Sequence, residues 1–157
     1  MKSSAILGSI GLFFLLATGH AQAQQAAVCA PQEEGQGAQW LALCERAAVQ
    51  GDGHAALMVG AIYWNGDGVA KDHAAAARWF EKADLAGETR AAKMLGDEAF
   101  GRLVKAAKPE DTDRAVLDTA IGWYEKALEV EPVPEVKAEA QQSLAMLSSL
   151  KQTLSAR

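Results

Sequence analysis

The stretch "YWNGDGVAKD", Tyr63 to Asp72, gathers Asn65, Asp67 and Asp72 around Gly66 and Gly68. Oxygen-bearing side chains beside a glycine could hold a calcium ion. An EF-hand loop places them at its first, third and fifth positions, with glycine sixth and a bidentate glutamate twelfth. Setting Gly68 as sixth puts Asp67 fifth and Asn65 third, but Tyr63 then stands first and Ala74 twelfth. Two of the side-chain ligands are missing, so no metal is expected here. The stretch reads instead as a corner between two helices. Gly66 and Gly68 give the backbone freedom, Val69 buries one side of the corner, and Asp72 starts the second helix.

Other candidate chemistry is equally thin. Ser148 and Lys151 have the Ser-x-x-Lys spacing of penicillin-recognising enzymes. Their companion motifs, Ser-Asp-Asn and Lys-Thr-Gly, do not occur in the chain. A Ser-His-Asp arrangement would draw on His54 or His73, which are expected to be exposed at helix starts. No glycine motif for a phosphate or dinucleotide is present. The acidic clusters Glu33-Glu34, Glu110-Asp111-Thr112-Asp113 and Glu129-Val130-Glu131 are expected to be solvated turns and helix caps. No catalytic residue, cofactor or metal site is expected.

The N-terminus explains where the chain is expected to work. Lys2 precedes the apolar stretch "AILGSIGLFFLLA" (Ala5–Ala17), and Ala21-Gln22-Ala23 follows. A basic start, a short apolar core and a small-x-small site make a secretory signal peptide, cleaved after Ala23. The apolar core is too short for a membrane-spanning helix, which needs about 20 residues. Export is therefore expected, to the periplasm first and the exterior second. The formal charge of −5 with no basic stripe argues against nucleic acid and anionic membranes. In an oxidising compartment the two cysteines, Cys29 and Cys44, are expected to pair as a disulfide, with buried free thiols as the alternative.

The elements come from a repeat. "CERAAVQGDGHAALMVGAIYW" (Cys44–Trp64) aligns without a gap on "FEKADLAGETRAAKMLGDEAF" (Phe80–Phe100), 36 positions on. Gly51 falls on Gly87, Met58 on Met94, Gly60 on Gly96 and Trp64 on Phe100. The motif returns at "WYEKALEVEP" (Trp123–Pro132), 44 positions after Trp79-Phe80-Glu81-Lys82-Ala83. Apolar residues at helical spacing, such as Ala91, Ala92, Leu95 and Ala99, make each unit a helix pair. A pair of this length cannot bury its apolar face alone, so units must stack. Helices are expected over about 38–51, 54–66, 72–87, 89–107 and 113–131, with a capping helix over 134–155. Residues 1–23 are the signal peptide, 24–36 an N-terminal arm and 37–157 one domain.

"AALMVGAIYWNGDGVAKDHAAAARWFEKADLAGE" (Ala55–Glu88) resembles a Sel-like repeat, the bacterial relative of the tetratricopeptide repeat. The likeness covers roughly Leu43–Glu131, although "GRLVKAAKPEDTD" (Gly101–Asp113) departs from the Gly-x-Gly-Val turn. The resemblance implies a right-handed α/α solenoid with capping helices, which binds proteins or peptides without catalysis of its own. It thus implies an adaptor or assembly factor of the cell envelope, acting as a monomer or within a complex. A cysteine-rich exported branch of the family keeps an envelope hydrolase or penicillin-binding protein as an alternative. A purely structural subunit is another. On a helical wheel Met58, Trp64, Met94, Asp97 and Phe100 lie away from each unit's own second helix. They either form a partner-binding stripe or, for Trp64 and Phe100, pack between neighbouring units.

Overall fold

The computed structural model describes Cys29, residues 37–105 and residues 113–156. The expected signal peptide, the rest of the arm and the turn around Pro109 lie outside the described residues. Six helices follow one another: α1 (Gly37–Val49), α2 (Gly53–Asn65), α3 (His73–Leu85), α4 (Arg90–Val104), α5 (Arg114–Val130) and α6 (Pro134–Ser155). Among the described residues there is no strand. Each helix packs on the next, most extensively α2 on α3 and α4 on α5, and α6 also touches α4. The result is an α/α solenoid of two helix pairs between a preceding and a following helix.

Local chemistry sets the helix ends. Asp52, Asp72 and Asp113 stand at the N-caps of α2, α3 and α5, each carboxylate accepting from a backbone N–H of the first turn. Gly66 closes α2 in the left-handed region, φ 72°, its N–H donating to the Ile62 carbonyl. Gly68 follows at φ 68°, and the Asp72 N–H reaches back to the Tyr63 carbonyl at 3.0 Å. The corner is thus closed by its own backbone. α1 and α3 each stop two residues before the expected ends, because Gly51 and Gly87 turn into positive φ just beyond them. α4 ends at Val104 rather than 107, with Lys105 as its C-cap; residues 106 and 107 lie outside the described residues.

One contact defines the pair. Gly60 of α2 faces the ring of Phe80 so closely that a Cβ there would collide with it. Gly96 of α4 meets Tyr124 in the same way, a Cβ falling 2.9 Å from the ring. A large aromatic side chain of the second helix is seated on a glycine of the first, which lets the two backbones approach. Around these seats lie two apolar clusters. One contains Cys29, Cys44, Ala55, Val59, Phe80 and Leu95, and the other contains Leu103, Leu117, Tyr124, Leu147 and Leu154.

A cleft between the second helices

α3 and α5 are the second helices of the two pairs. They meet at one end, where Lys126 Nζ of α5 lies 2.6 Å from Asp84 Oδ1 of α3. Toward the other end they part and leave a cleft of about 570 Å³ with α4 as its floor. Leu95 and Ala99 form that floor, Ala74, Ala77 and Glu81 one wall, and Thr119 and Trp123 the other. Trp64, at the end of α2, closes one end beside His73; their rings meet edge to face with centroids 4.5 Å apart.

α3 and α4 run antiparallel, being joined by the four residues 86–89. Glu81, Glu98, Arg102 and Lys105 line the cleft together with His73, Trp64 and Trp123. Glu98 and Arg102 are linked only by a long contact of 3.9 Å. Such a space offers two indole surfaces, an apolar floor and a charge of each sign near its rim, which suits a peptide segment. Among the described lining residues Thr119 alone carries a hydroxyl, and it donates to the Ala115 carbonyl at 2.7 Å.

The residues expected to form one stripe are largely engaged in packing and ion pairs. Trp64 lines the cleft, and it also packs on the first apolar cluster and on Phe80. Phe100 packs on the second cluster and Met94 on the first, while Met58 is half-buried. Asp97 is engaged internally: it accepts from the Tyr124 hydroxyl at 2.8 Å and pairs with Lys93 at 2.9 Å. Sequence reasoning missed Trp123 and Arg102, because it searched only the outer sides of the first helices. Trp123 is the repeat partner of Trp79, and that correspondence was the available signal. His73, expected to be exposed, is half-buried in the cleft wall with its Nδ1 buried and unpartnered.

One further expectation changes. Glu131, expected to be solvated, is 1% exposed. Its Oε1 accepts from the Val133 N–H at 2.9 Å, so the side chain folds under the end of α5 and fixes the turn into α6. Cys29 and Cys44, expected to pair or to stay as buried free thiols, stand here as two free buried thiols. The Cys44 S–H donates to the Cys29 carbonyl oxygen at 3.4 Å. Of the Ser-x-x-Lys pair, Lys151 forms an ion pair with Asp118 of α5 at 2.7 Å. Among the described residues no cluster of three His, Cys, Asp or Glu could hold a metal ion. No described helix is long and apolar enough to cross a membrane.

The geometry of glycine-seated helix pairs has a counterpart among known families. The Sel1 repeat matches residues 53–83 and 90–129. This chain carries Sel1 repeats. The first match spans α2 and nearly all of α3, and the second runs from α4 almost to the end of α5, across the turn that departs from the usual pattern. Helices α1 and α6 lie outside the matches, one on each side. No curated protein matches the chain. Sel1 repeats are, in general, protein–protein interaction modules.

Proposed function

We propose that this Sel1-repeat protein is an exported adaptor or assembly factor of the cell envelope, holding a segment of a partner protein in the cleft between α3 and α5. The observation that carries the reading is the cleft itself, open between the second helices and lined by both Trp64 and Trp123. Aromatic anchors in a partly enclosed space are where binding energy concentrates at protein interfaces. Arg102, with its side chain 56% exposed, stands ready at the rim. The export half of the reading is supported by the basic start, apolar core and Ala-x-Ala site of residues 1–23.

Affinity capture from envelope extract tests this, using the full chain and the variants Trp123→Ala and Arg102→Glu, each checked for helical content by circular dichroism. A defined protein is expected to be captured by the parent chain and about ten-fold less by each variant. Capture unchanged by both substitutions overturns the cleft. Loss on Phe100→Ala alone does so too, and moves the site to the first helices.

A further inference from the structure

We propose that Cys29 and Cys44 are an oxidisable pair whose redox state is chosen while the chain folds and is kept thereafter. Cys44, Ala47 and Ala48 share the inner side of α1 through the i, i+3, i+4 spacing, and all three are buried. Cys29 arrives from fifteen positions upstream to lie against them. Both cysteines are 0% exposed, in the apolar cluster that also holds Ala55, Val59 and Phe80. The Cys44 sulfur lies 3.4 Å from the Cys29 carbonyl oxygen, so the two residues are immediate neighbours. Two cysteines already side by side need little movement of the chain to be joined.

Closing the pair requires an external disulfide as oxidant, either a small-molecule or a protein disulfide carrier, R–S–S–R. One cysteine attacks as its thiolate, forming a mixed disulfide and expelling RS⁻. The other then attacks that mixed disulfide and expels the second RS⁻. The chain loses two electrons to the carrier, and the protons of the two thiols pass to the two expelled thiolates. Each attack needs a thiolate that the carrier can reach.

The folded chain denies both conditions. Burial, above all, raises both thiols, and the negative Asp52 at the N-cap of α2 adds to it; the contact with Cys44 opposes the rise at Cys29 only. With no exposed sulfur, exchange has to wait for the structure to open. In the unfolded chain each thiol returns to its ordinary pKa of about 8.5, and a short separation makes encounter frequent. A disulfide formed then becomes as inaccessible to reductants as the thiols are to oxidants. Closing the ring from Cys29 to Cys44 also restricts the unfolded chain and stabilises the fold, by about 10 °C in Tm.

The experiment refolds the denatured, reduced chain in glutathione disulfide or in excess dithiothreitol. Alkylation and intact mass then count the thiols, and thermal unfolding is followed by circular dichroism. The expected result is an internal disulfide only after refolding in glutathione disulfide, with Tm about 10 °C above the reduced form. Folded reduced chain, moved into glutathione disulfide, is expected to oxidise at least about 100-fold more slowly than unfolded chain. Two free thiols, or only glutathione adducts, after oxidative refolding overturn the pairing. Oxidation of the folded chain as fast as the unfolded one overturns the locking. The variant Cys29→Ala with Cys44→Ala is expected to show one Tm in both buffers, and a redox-dependent Tm in it also overturns the proposal. The counts on the parent chain decide the matter if that variant fails to fold.

Discussion

In the first repeat Phe80 rests on Gly60, and in the second Tyr124 rests on Gly96. The two seats share a shape and differ by one oxygen. Tyr124 uses its hydroxyl to donate to Asp97, which pairs with Lys93, and Lys93 reaches Glu139 of α6 at 2.9 Å. The position equivalent to Asp97 in the first repeat is Ala61, so Phe80 has no acceptor to meet and needs none. The glycine and the ring therefore set how closely a helix pair packs. The polar chain does a separate job, binding the second pair to the helix that follows it. The first repeat instead receives α1 and the cysteine pair by apolar contact.

The sharpest way to break the comparison is to fill the seats. Gly60→Ala is expected to destabilise by about 2–3 kcal/mol, because Phe80 is wholly buried and has nowhere to move. Gly96→Ala, with a looser approach to Tyr124, is expected to lose about 1 kcal/mol less. Urea unfolding at constant m-value measures both, and equal losses would contradict the difference between the seats.

A smaller effect sharpens the chemical difference. Phe80→Tyr buries a hydroxyl opposite Ala61 without an acceptor and is expected to cost about 1–3 kcal/mol. Tyr124→Phe removes the hydrogen bond to Asp97 while Asp97 keeps Lys93, and is expected to cost about 0.5–1.5 kcal/mol. Adding Ala61→Asp to Phe80→Tyr is expected to recover part of the loss, which a double-mutant cycle reads directly.

The smallest expected effect is alkaline. Burial first, then the Asp97 charge, raises the Tyr124 phenol above its ordinary value, with Ser143 opposing. Cys29 and Cys44 are raised by burial as well. A group with a raised folded pKa is stabilising below its unfolded pKa, and that stability is lost as pH climbs above it. Reduced protein is therefore expected to weaken first above about pH 8.5, through the cysteine pair packed against the first repeat, and again above about pH 10, through Tyr124. Tyr124→Phe is expected to abolish only the second loss, followed as Tm against pH.

Much of the architecture was legible in the residues because it rests on local rules. Repeated Gly60 and Gly96, Asp72 and Asp113 at helix starts, and the spacing of Ala91, Ala92, Leu95 and Ala99 all act within one or two helices. The cleft was not legible in the same way. Trp64 appears in it while its repeat partner Phe100 does not, since Phe100 is taken up by the second cluster. A helical wheel assigns a side chain to a face but cannot say which neighbour that face will meet. Glu131 misled for a similar reason, because a carboxylate in an acidic run looks solvated until the turn folds over it.

Sequence by itself determined the helix pairs, their capping and their stacking, because propensity, periodicity and glycine placement are properties of short segments. The tertiary structure alone decided that α3 and α5 join at Lys126–Asp84 and part elsewhere. It also decided that Asp97 is spent on Tyr124, and that two cysteines fifteen positions apart meet in one apolar cluster. Those outcomes depend on how whole helices pack against one another, which is fixed by volumes and angles summed over many residues rather than by any one stretch of chain.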